Sequence, residues 1–147
     1  IVRRLVGSEM CIRDRGCSIN IIFKNKGENY FRKIETSLSL QELKKNNTII
    51  SLGGGAFLSN SIRKAVKDTS VSFWLDVNIN ELVKRLNKTK KRPLLFKKNM
   101  KDTVSKIYLE RKRIYNEADF RIKCRFLKPE AIVDKIIKLY EKSRNKI

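Results

Sequence analysis

Residues 47–58, with the sequence NTIISLGGGAFL, decide the fold that this chain is expected to adopt. A short run rich in β-branched residues leads into three consecutive glycines, and the Ser-Asn pair that follows is suited to cap a helix. The pattern predicts a buried strand, a tight turn and the entrance to a helix. Because glycine has no Cβ, the N–H groups of Gly53, Gly54 and Gly55 can approach a ligand closely, and a helix N-terminus favours an anion there. An ordinary flexible turn has the same composition, so the glycines alone leave both interpretations open.

Length and charge limit the classes of protein to consider. With 147 residues and 41% hydrophobic side chains, the chain is expected to form one domain with its own core. Its 35 Lys and Arg against 15 Asp and Glu give a net charge of +20, so acidic partners such as phosphates, nucleic acid or anionic lipid are conceivable. The basic residues are spread over every predicted helix, which favours a solvated surface over a dedicated nucleic-acid face.

The missing and rare residue types exclude several chemistries. The sequence has no histidine, which removes imidazole bases, Ser-His and Cys-His nucleophile pairs, and histidine metal ligands. Its three cysteines, at positions 11, 17 and 124, have no Cys-x-x-Cys spacing, so we expect neither a zinc site nor a disulfide framework, and we expect a reducing cytoplasm. No apolar run approaches the roughly 18 residues of a membrane span. We therefore expect a soluble cytoplasmic protein.

The order of predicted elements indicates the fold class. Residues 1–15, IVRRLVGSEMCIRDR, lack a signal-peptide layout and look foreign to the rest, whereas residues 16–142 form the expected domain and residues 143–147 a basic tail. Helical periodicity is predicted at about 18–23, 30–38, 59–67, 79–86, 104–115 and 129–140, and strands at 47–52, 71–76 and 120–124. Alternating strands and helices predict an α/β protein with a parallel sheet covered on both faces. Ligands in such folds bind at the carboxyl ends of strands, which favours an anion-binding enzyme over a basic scaffold.

Two arginines fall on helix faces where a partner is expected. Arg32 and Glu35 are three residues apart, so a salt bridge between them would fix the guanidinium; the alternative is an exposed pair worth a few tenths of a kcal/mol. Arg111 lies near the apolar stripe of its helix and requires an anionic partner. Between the helices, residues 88–101 combine many basic residues with Arg92-Pro93, which predicts a mobile, positively charged lid loop.

Five sequence blocks in register resemble the shikimate kinase family. The blocks are GCSINIIFKNKGENYFRKIE, IISLGGGAFLS, VSFWLDV, KRPLL and LERKRIYNEADFRI, and the resemblance covers about residues 16–137. It implies a three-layer P-loop kinase-type parallel sheet. It also implies transfer of the γ-phosphoryl group of ATP to the 3-hydroxyl of shikimate, with Mg²⁺, in aromatic amino acid biosynthesis. We expect shikimate and ATP as ligands, no membrane or nucleic acid partner, and a monomer.

The resemblance assigns roles to individual residues. For shikimate, it implies that Arg32 binds the carboxylate with Glu35 orienting it, that Arg111 is the second carboxylate arginine, and that the triple glycine meets the substrate hydroxyls through Gly53, Gly54 and Gly55. For ATP, it implies that the lid arginine Arg92 closes on the phosphates and that adenine is contacted by Arg85 and, with a loose fit at the turn, by Arg125. The resemblance implies no catalytic side chain and no metal ligand among these positions. Two arginines can clamp one carboxylate bidentately, and phosphoryl transfer mainly requires positioning and neutralised charge.

The sequence also departs from the family. Family members open with a strand and a Gly-x-x-x-x-Gly-Lys-Ser/Thr phosphate loop, followed by a strand with an Asp-x-Asp pair, and neither pattern occurs in these 147 residues. We therefore expect the first two strands of the family to be missing, and the polypeptide as written to be inactive. Strands 47–52 and 71–76 would lose the neighbour between them unless residues 1–6 supply a substitute strand. A non-catalytic basic module that binds anions or nucleic acid is the alternative; another small-molecule P-loop kinase would lack the joint placement of Arg32 and Arg111.

Overall fold

The computed structural model describes residues 4–7, 19–88 and 100–144. The chain divides into two compact units, Ile1–Ser70 and Val71–Ile147. The first contains β1 (Arg4–Gly7), α1 (Ile19–Leu43), β2 (Thr48–Ser51), a 3₁₀ helix (Ala56–Leu58) and α2 (Asn60–Thr69). The second contains β3 (Phe73–Asp76), α3 (Ile79–Lys88), α4 (Met100–Tyr115), β4 (Phe120–Lys123) and α5 (Pro129–Arg144). The predicted α/β class with parallel strands is confirmed.

In the first unit, the strand that leads into the glycines pairs with the beginning of the chain. β1 and β2 are parallel, with Arg4 opposite Thr48 and Gly7 opposite Ser51. The glycine strand is therefore not left without a partner, and the segment expected as a substitute strand is the one that forms β1. Behind the glycine turn, α1, α2 and the 3₁₀ helix pack around an apolar cluster of buried side chains: Leu43, Ala56, Ile62 and Val66.

A kink at Gly27 divides α1. The sequence predicts two helices separated by a loop at positions 26 and 27, and the structure reduces that loop to one residue, Gly27, with φ 74° and ψ 175°. This left-handed backbone favours glycine because a Cβ would be strained there. Across the kink, the ring centres of Phe23 and Phe31 lie 4.7 Å apart. Ile22, Phe31 and Leu38 form a second buried cluster. The kink starts a new helical segment at Glu28, four residues before Arg32.

In the second unit, β3 and β4 form a parallel pair. Phe73 lies opposite Phe120 and Asp76 lies opposite Lys123. At the amino ends of these strands, Asp119 Oδ2 accepts hydrogen bonds from the backbone N of Ser72 at 2.8 Å and from its hydroxyl at 2.6 Å, and Ser72 Oγ accepts from Asp119 N at 3.0 Å. α3 packs on α4, and α5 packs on β4. Pro129 begins the last helix, as its position in the sequence predicts.

Strands 47–52 and 71–76, which the sequence predicts to be buried, are partly exposed. Ile49 on β2 is 50% exposed and Leu75 on β3 is 44% exposed. In the described part of the chain each sheet has two strands. Successive side chains of a strand point to opposite faces of the sheet, so some can be buried while their neighbours stay exposed. Within residues 19–88 and 100–144, no helix is both long and apolar enough to cross a membrane.

Candidate active site

Arg32 is fixed by a buried carboxylate one helical turn away. Its Nη1 donates to Glu35 Oε2 at 2.6 Å, and the Glu35 side chain is 4% exposed against 32% for Arg32. The i,i+3 spacing on the second segment of α1 brings the two side chains to one face. The salt bridge expected from the sequence is therefore present. Because Glu35 is buried, the pair differs from the exposed surface pair that was the alternative.

Glu28 is a second partner of Arg32 that the sequence reasoning missed. Nη2 and Nε of Arg32 donate to Glu28 Oε1 at 3.1 and 3.3 Å, and the Glu28 side chain is 48% exposed. The signal was available, because glutamate four residues before arginine is a favourable helical pair. Burial lowers the pKa of Arg32, but the hydrogen bonds and charges of Glu35 and Glu28 outweigh this and raise the pKa above its ordinary value. Of its five N–H donors, these bonds engage three.

The glycine turn leaves room for the Arg32 guanidinium. A Cβ placed at Gly55 would lie 2.6 Å from Cζ and 2.8 Å from Nη2 of Arg32, closer than real side-chain contacts allow. The turn is held by backbone bonds from Ala56 N to the carbonyl of Gly53 at 3.0 Å and from Leu58 N to that of Gly55 at 3.2 Å. The structure thus brings two predicted site residues, Arg32 and Gly55, into direct contact.

Arg63 on α2 holds the end of the 3₁₀ helix that follows the glycine turn, and it was not predicted as a site residue. Its Nη1 donates to the carbonyls of Phe57 at 2.9 Å and Leu58 at 2.8 Å, and its Nη2 is hydrogen-bonded to the side-chain oxygen of Asn60. These carbonyls end the 3₁₀ helix and have no helical partner of their own. Ser59 is the N-cap of α2, as predicted, but its hydroxyl contacts Ser61 Oγ at 2.8 Å instead of a backbone N–H group.

A cleft of about 430 Å³ lies at the carboxyl ends of β3 and β4 in the second unit. Three cationic side chains line it: Lys101, Lys123 and Arg125. The rest of its polar lining consists of the carboxylate of Asp76 and of hydroxyl and amide groups from Asn78, Asn80, Ser105 and Tyr108. The position agrees with the expectation that ligands of parallel sheets bind at strand carboxyl ends, and the charge suits an anion.

The residues expected near adenine have different surroundings. Arg125 lines the cleft, and its guanidinium lies 4.8 Å from the ring centre of Phe126, which is 90% exposed and has φ 58°. Arg85 is on α3, where its Nε donates to Glu81 Oε1 at 3.0 Å in an exposed pair. Arg92 and the expected lid at residues 88–101 lie outside the described residues, except that α3 includes Lys88 and α4 begins at Met100.

Asp76 connects three elements at the edge of this cleft. Its side chain is 9% exposed; Oδ1 accepts from Tyr108 at 2.9 Å, and Oδ2 accepts from Nε and Nη2 of Arg121 at 2.9 and 2.6 Å. Burial raises the pKa of Tyr108, and the hydrogen bond and charge of Asp76 raise it further. The hydrogen bond to Asp76 raises the pKa of Arg121. Sequence reasoning treated Asp76 only as the end of a strand.

Arg111 is half-buried on α4, three residues after Tyr108. It belongs to the second unit, whereas Arg32 and the glycine turn belong to the first. Joint action of the two arginines on one carboxylate therefore stays a prediction.

The described residues contain no cluster of carboxylates for a magnesium ion. Among residues 4–7, 19–88 and 100–144, no three Asp, Glu or Cys side chains gather in a way that could hold a metal ion. Both carboxylate oxygens of Asp76 are engaged by Tyr108 and Arg121.

Comparison with known proteins identifies relatives of one family. A sequence model for the family described as shikimate kinase matches residues 6–141. A shikimate kinase of Bartonella henselae is 37% identical over 105 residues, which is 71% of this chain and 50% of that protein. A shikimate kinase of Thermodesulfovibrio yellowstonii is 34% identical over 137 residues, 93% of this chain and 79% of that protein. The chain thus spans half the length of the first relative and about four fifths of the second.

Solved structures of shikimate kinases have the same fold as this chain. The structure of a shikimate kinase from Acinetobacter baumannii, solved in complex with shikimate, superposes with a TM-score of 0.90 over 96% of this chain and 80% of that chain. At 24% identity this likeness shows the fold. The family match, which covers nearly the whole length, shows more: this chain belongs to the shikimate kinase family.

Proposed function

We propose that this protein functions in the transfer of a phosphoryl group from ATP to the 3-hydroxyl of shikimate, which gives shikimate 3-phosphate. The observation that carries the proposal is the guanidinium of Arg32, held by Glu28 and Glu35 against the Cβ-less position of Gly55. Such an arrangement suits a small carboxylate whose ring carries hydroxyl groups, because the arginine fork can bind the carboxylate bidentately while backbone N–H groups of the turn meet the hydroxyls. Family membership and the shikimate bound to the Acinetobacter relative support this choice of acceptor.

On the acceptor side, each residue has a distinct proposed task. Arg32 binds the shikimate carboxylate, and Glu35 keeps the plane of the guanidinium fixed. Gly53, Gly54 and Gly55 provide close approach to the ring. Arg111 supplies a second positive charge for the same carboxylate. Holding the acceptor in one orientation is the main contribution a protein makes to phosphoryl transfer.

On the donor side, we propose that ATP supplies the phosphoryl group and that Arg85, Arg92 and Arg125 contact it. The cationic cleft that Arg125 lines supports this for one of the three. The 147 residues contain no Gly-x-x-x-x-Gly-Lys-Ser/Thr pattern. We therefore propose that this polypeptide, assayed by itself, binds the acceptor but transfers phosphate poorly or not at all. A cytoplasmic location and a monomeric state are parts of the same proposal.

The experiment that tests the acceptor is isothermal calorimetry with shikimate and with its neutral methyl ester. Shikimate should bind, and the ester, which keeps the ring hydroxyls but loses the charge, should bind at least about tenfold more weakly because a charged hydrogen bond contributes about 1.5–3 kcal/mol. Equal binding of both compounds, or of neither, would contradict the proposal. A salt-sensitive shift of labelled DNA without any response to shikimate would instead favour the non-catalytic basic module.

A further inference from the structure

Two tyrosines on α4 flank Arg111, the second arginine proposed to bind the carboxylate of shikimate. Tyr108, Arg111 and Tyr115 occupy positions i, i+3 and i+7, which lie on one side of a helix. The two tyrosines contact the same residue of the neighbouring strand, Trp74 on β3: their ring centres lie 6.4 Å and 5.8 Å from the Trp74 ring. The helical segment that carries Arg111 is thus attached to β3 on both sides of Arg111.

A buried carboxylate adds a polar bond to this attachment. Asp76, two residues after Trp74 on β3, accepts a hydrogen bond through Oδ1 from the hydroxyl of Tyr108 at 2.9 Å. The other oxygen of Asp76 receives two donors of Arg121, whose guanidinium also lies 4.6 Å from the centre of the Trp74 ring. Arg121 thus places an opposite charge beside the carboxylate of Asp76, which is only 9% exposed and also holds the tyrosine.

These contacts have a direct consequence for the position of Arg111. The hydrogen bond between Tyr108 and Asp76 is directional and partly buried, so it favours one rotation of α4 about its own axis and one position of α4 along β3. A guanidinium binds a carboxylate bidentately only when its plane is correctly placed, so the selected rotation matters for Arg111.

We propose that Tyr108, with Asp76 and Trp74, forms a positioning unit that sets the orientation of Arg111 for the carboxylate of the acceptor. This inference rests on the proposed function. Each of the three residues acts on the shikimate carboxylate through Arg111.

A double-mutant cycle in the full 147-residue chain tests the proposal. Shikimate affinity is measured by calorimetry for the wild type, Tyr108→Phe, Arg111→Lys and the double variant. Tyr108→Phe should weaken binding about three- to tenfold, because only the hydroxyl that bonds Asp76 is lost. In the Arg111→Lys background the same substitution should have almost no effect, since a flexible point charge does not depend on a fixed plane. Tyr140→Phe on α5, where the ring is 45% exposed, is the matched control and should bind like the wild type.

The outcomes separate this inference from the proposed function. The inference fails if Tyr108→Phe leaves shikimate affinity unchanged. It also fails if Tyr108→Phe weakens binding by the same factor in the wild type and in the Arg111→Lys variant, because the positioning unit then does not act through Arg111. If wild-type protein does not bind shikimate, the proposed function itself fails. Trp74→Phe, which keeps an apolar ring, provides a second variant; it should show the same dependence on Arg111.

Discussion

The guanidinium of Arg32 occupies the space in which a side chain at Gly55 would begin. A Cβ at Gly55 would lie 2.6 Å from Arg32 Cζ. The backbone of Gly55, with φ −111° and ψ −17°, is open to any residue, so glycine is needed there for space and not for conformation. The glycine turn and the arginine are therefore one structural unit, in which the missing side chain of one makes room for the charged group of the other.

Gly55→Ala should therefore displace Arg32 from its two glutamates. Because the guanidinium is the far end of a flexible side chain, we expect a modest loss of folding stability, about 1 kcal/mol. Shikimate affinity should fall about tenfold or more, because the displaced group loses its bidentate orientation. The measurements are thermal unfolding and calorimetry. As a control, the stability cost of Gly55→Ala should shrink in an Arg32→Ala background, where the clash is absent; an undiminished cost would mean that another contact is responsible.

The two glutamates around Arg32 should differ in their contribution to stability. Glu35→Gln should lower the free energy of unfolding by about 1–3 kcal/mol, because it removes a charge from a buried, charge-assisted hydrogen bond. Glu28→Gln should cost no more than about 0.5 kcal/mol, because that pair is exposed. Urea denaturation of both variants measures the difference, and equal losses would show that burial of Glu35 does not matter.

Alkaline pH should weaken the contact between Tyr108 and Asp76. The pKa of Tyr108 is raised in the folded protein, first by burial and then by Asp76. The folded state therefore holds the phenolic proton more tightly than the unfolded state, whose pKa is about 10. The stabilisation is complete below that value and is lost as the pH rises through the folded pKa. Tyr108→Phe should reduce the fall in unfolding midpoint between about pH 8 and about pH 11; an identical fall in both proteins would exclude this contribution.

Arg63 should stabilise the turn after the glycines. Arg63→Ala leaves the carbonyls of Phe57 and Leu58 without their side-chain donor, and we expect a loss of about 1–2 kcal/mol of unfolding free energy. Lys64→Ala, on an exposed neighbouring position of α2, is the control and should stay within about 0.5 kcal/mol of the wild type. If the two variants melt alike, the bonds of Arg63 do not hold the turn.

Much of the fold and part of the site could be predicted from the sequence. Hydrophobic periodicity predicted the helices and the parallel strands, since the repeat of apolar residues is set by the face each element buries. The Arg32–Glu35 salt bridge followed from helical spacing alone. Spacing did not predict how deeply Glu35 is buried, because burial depends on how α1 packs against the rest of its unit.

Other features depend on contacts between residues far apart in the sequence. The network of Asp76 joins residues separated by 32 and 45 positions, so no local pattern contains it. The exposure of Ile49 and Leu75 was also unpredictable, because an apolar strand has the same sequence whether one or both of its faces are covered. For the strand at Arg4–Gly7, the sequence analysis could name residues 1–6 only as a possible substitute strand, and its register with β2 depends on contacts with residues more than 40 positions away.

The most direct test of the central claim is shikimate binding to Arg32→Lys and Arg111→Lys, measured by calorimetry beside the wild type. Lysine keeps the positive charge that Glu35 requires but cannot bind a carboxylate through a planar fork. Each substitution should weaken shikimate binding about tenfold or more, while Lys33→Arg and Arg113→Lys, at exposed positions on the same helices, should not change it. Equal affinity in the wild type and both arginine variants would contradict the assignment of this site to the shikimate carboxylate.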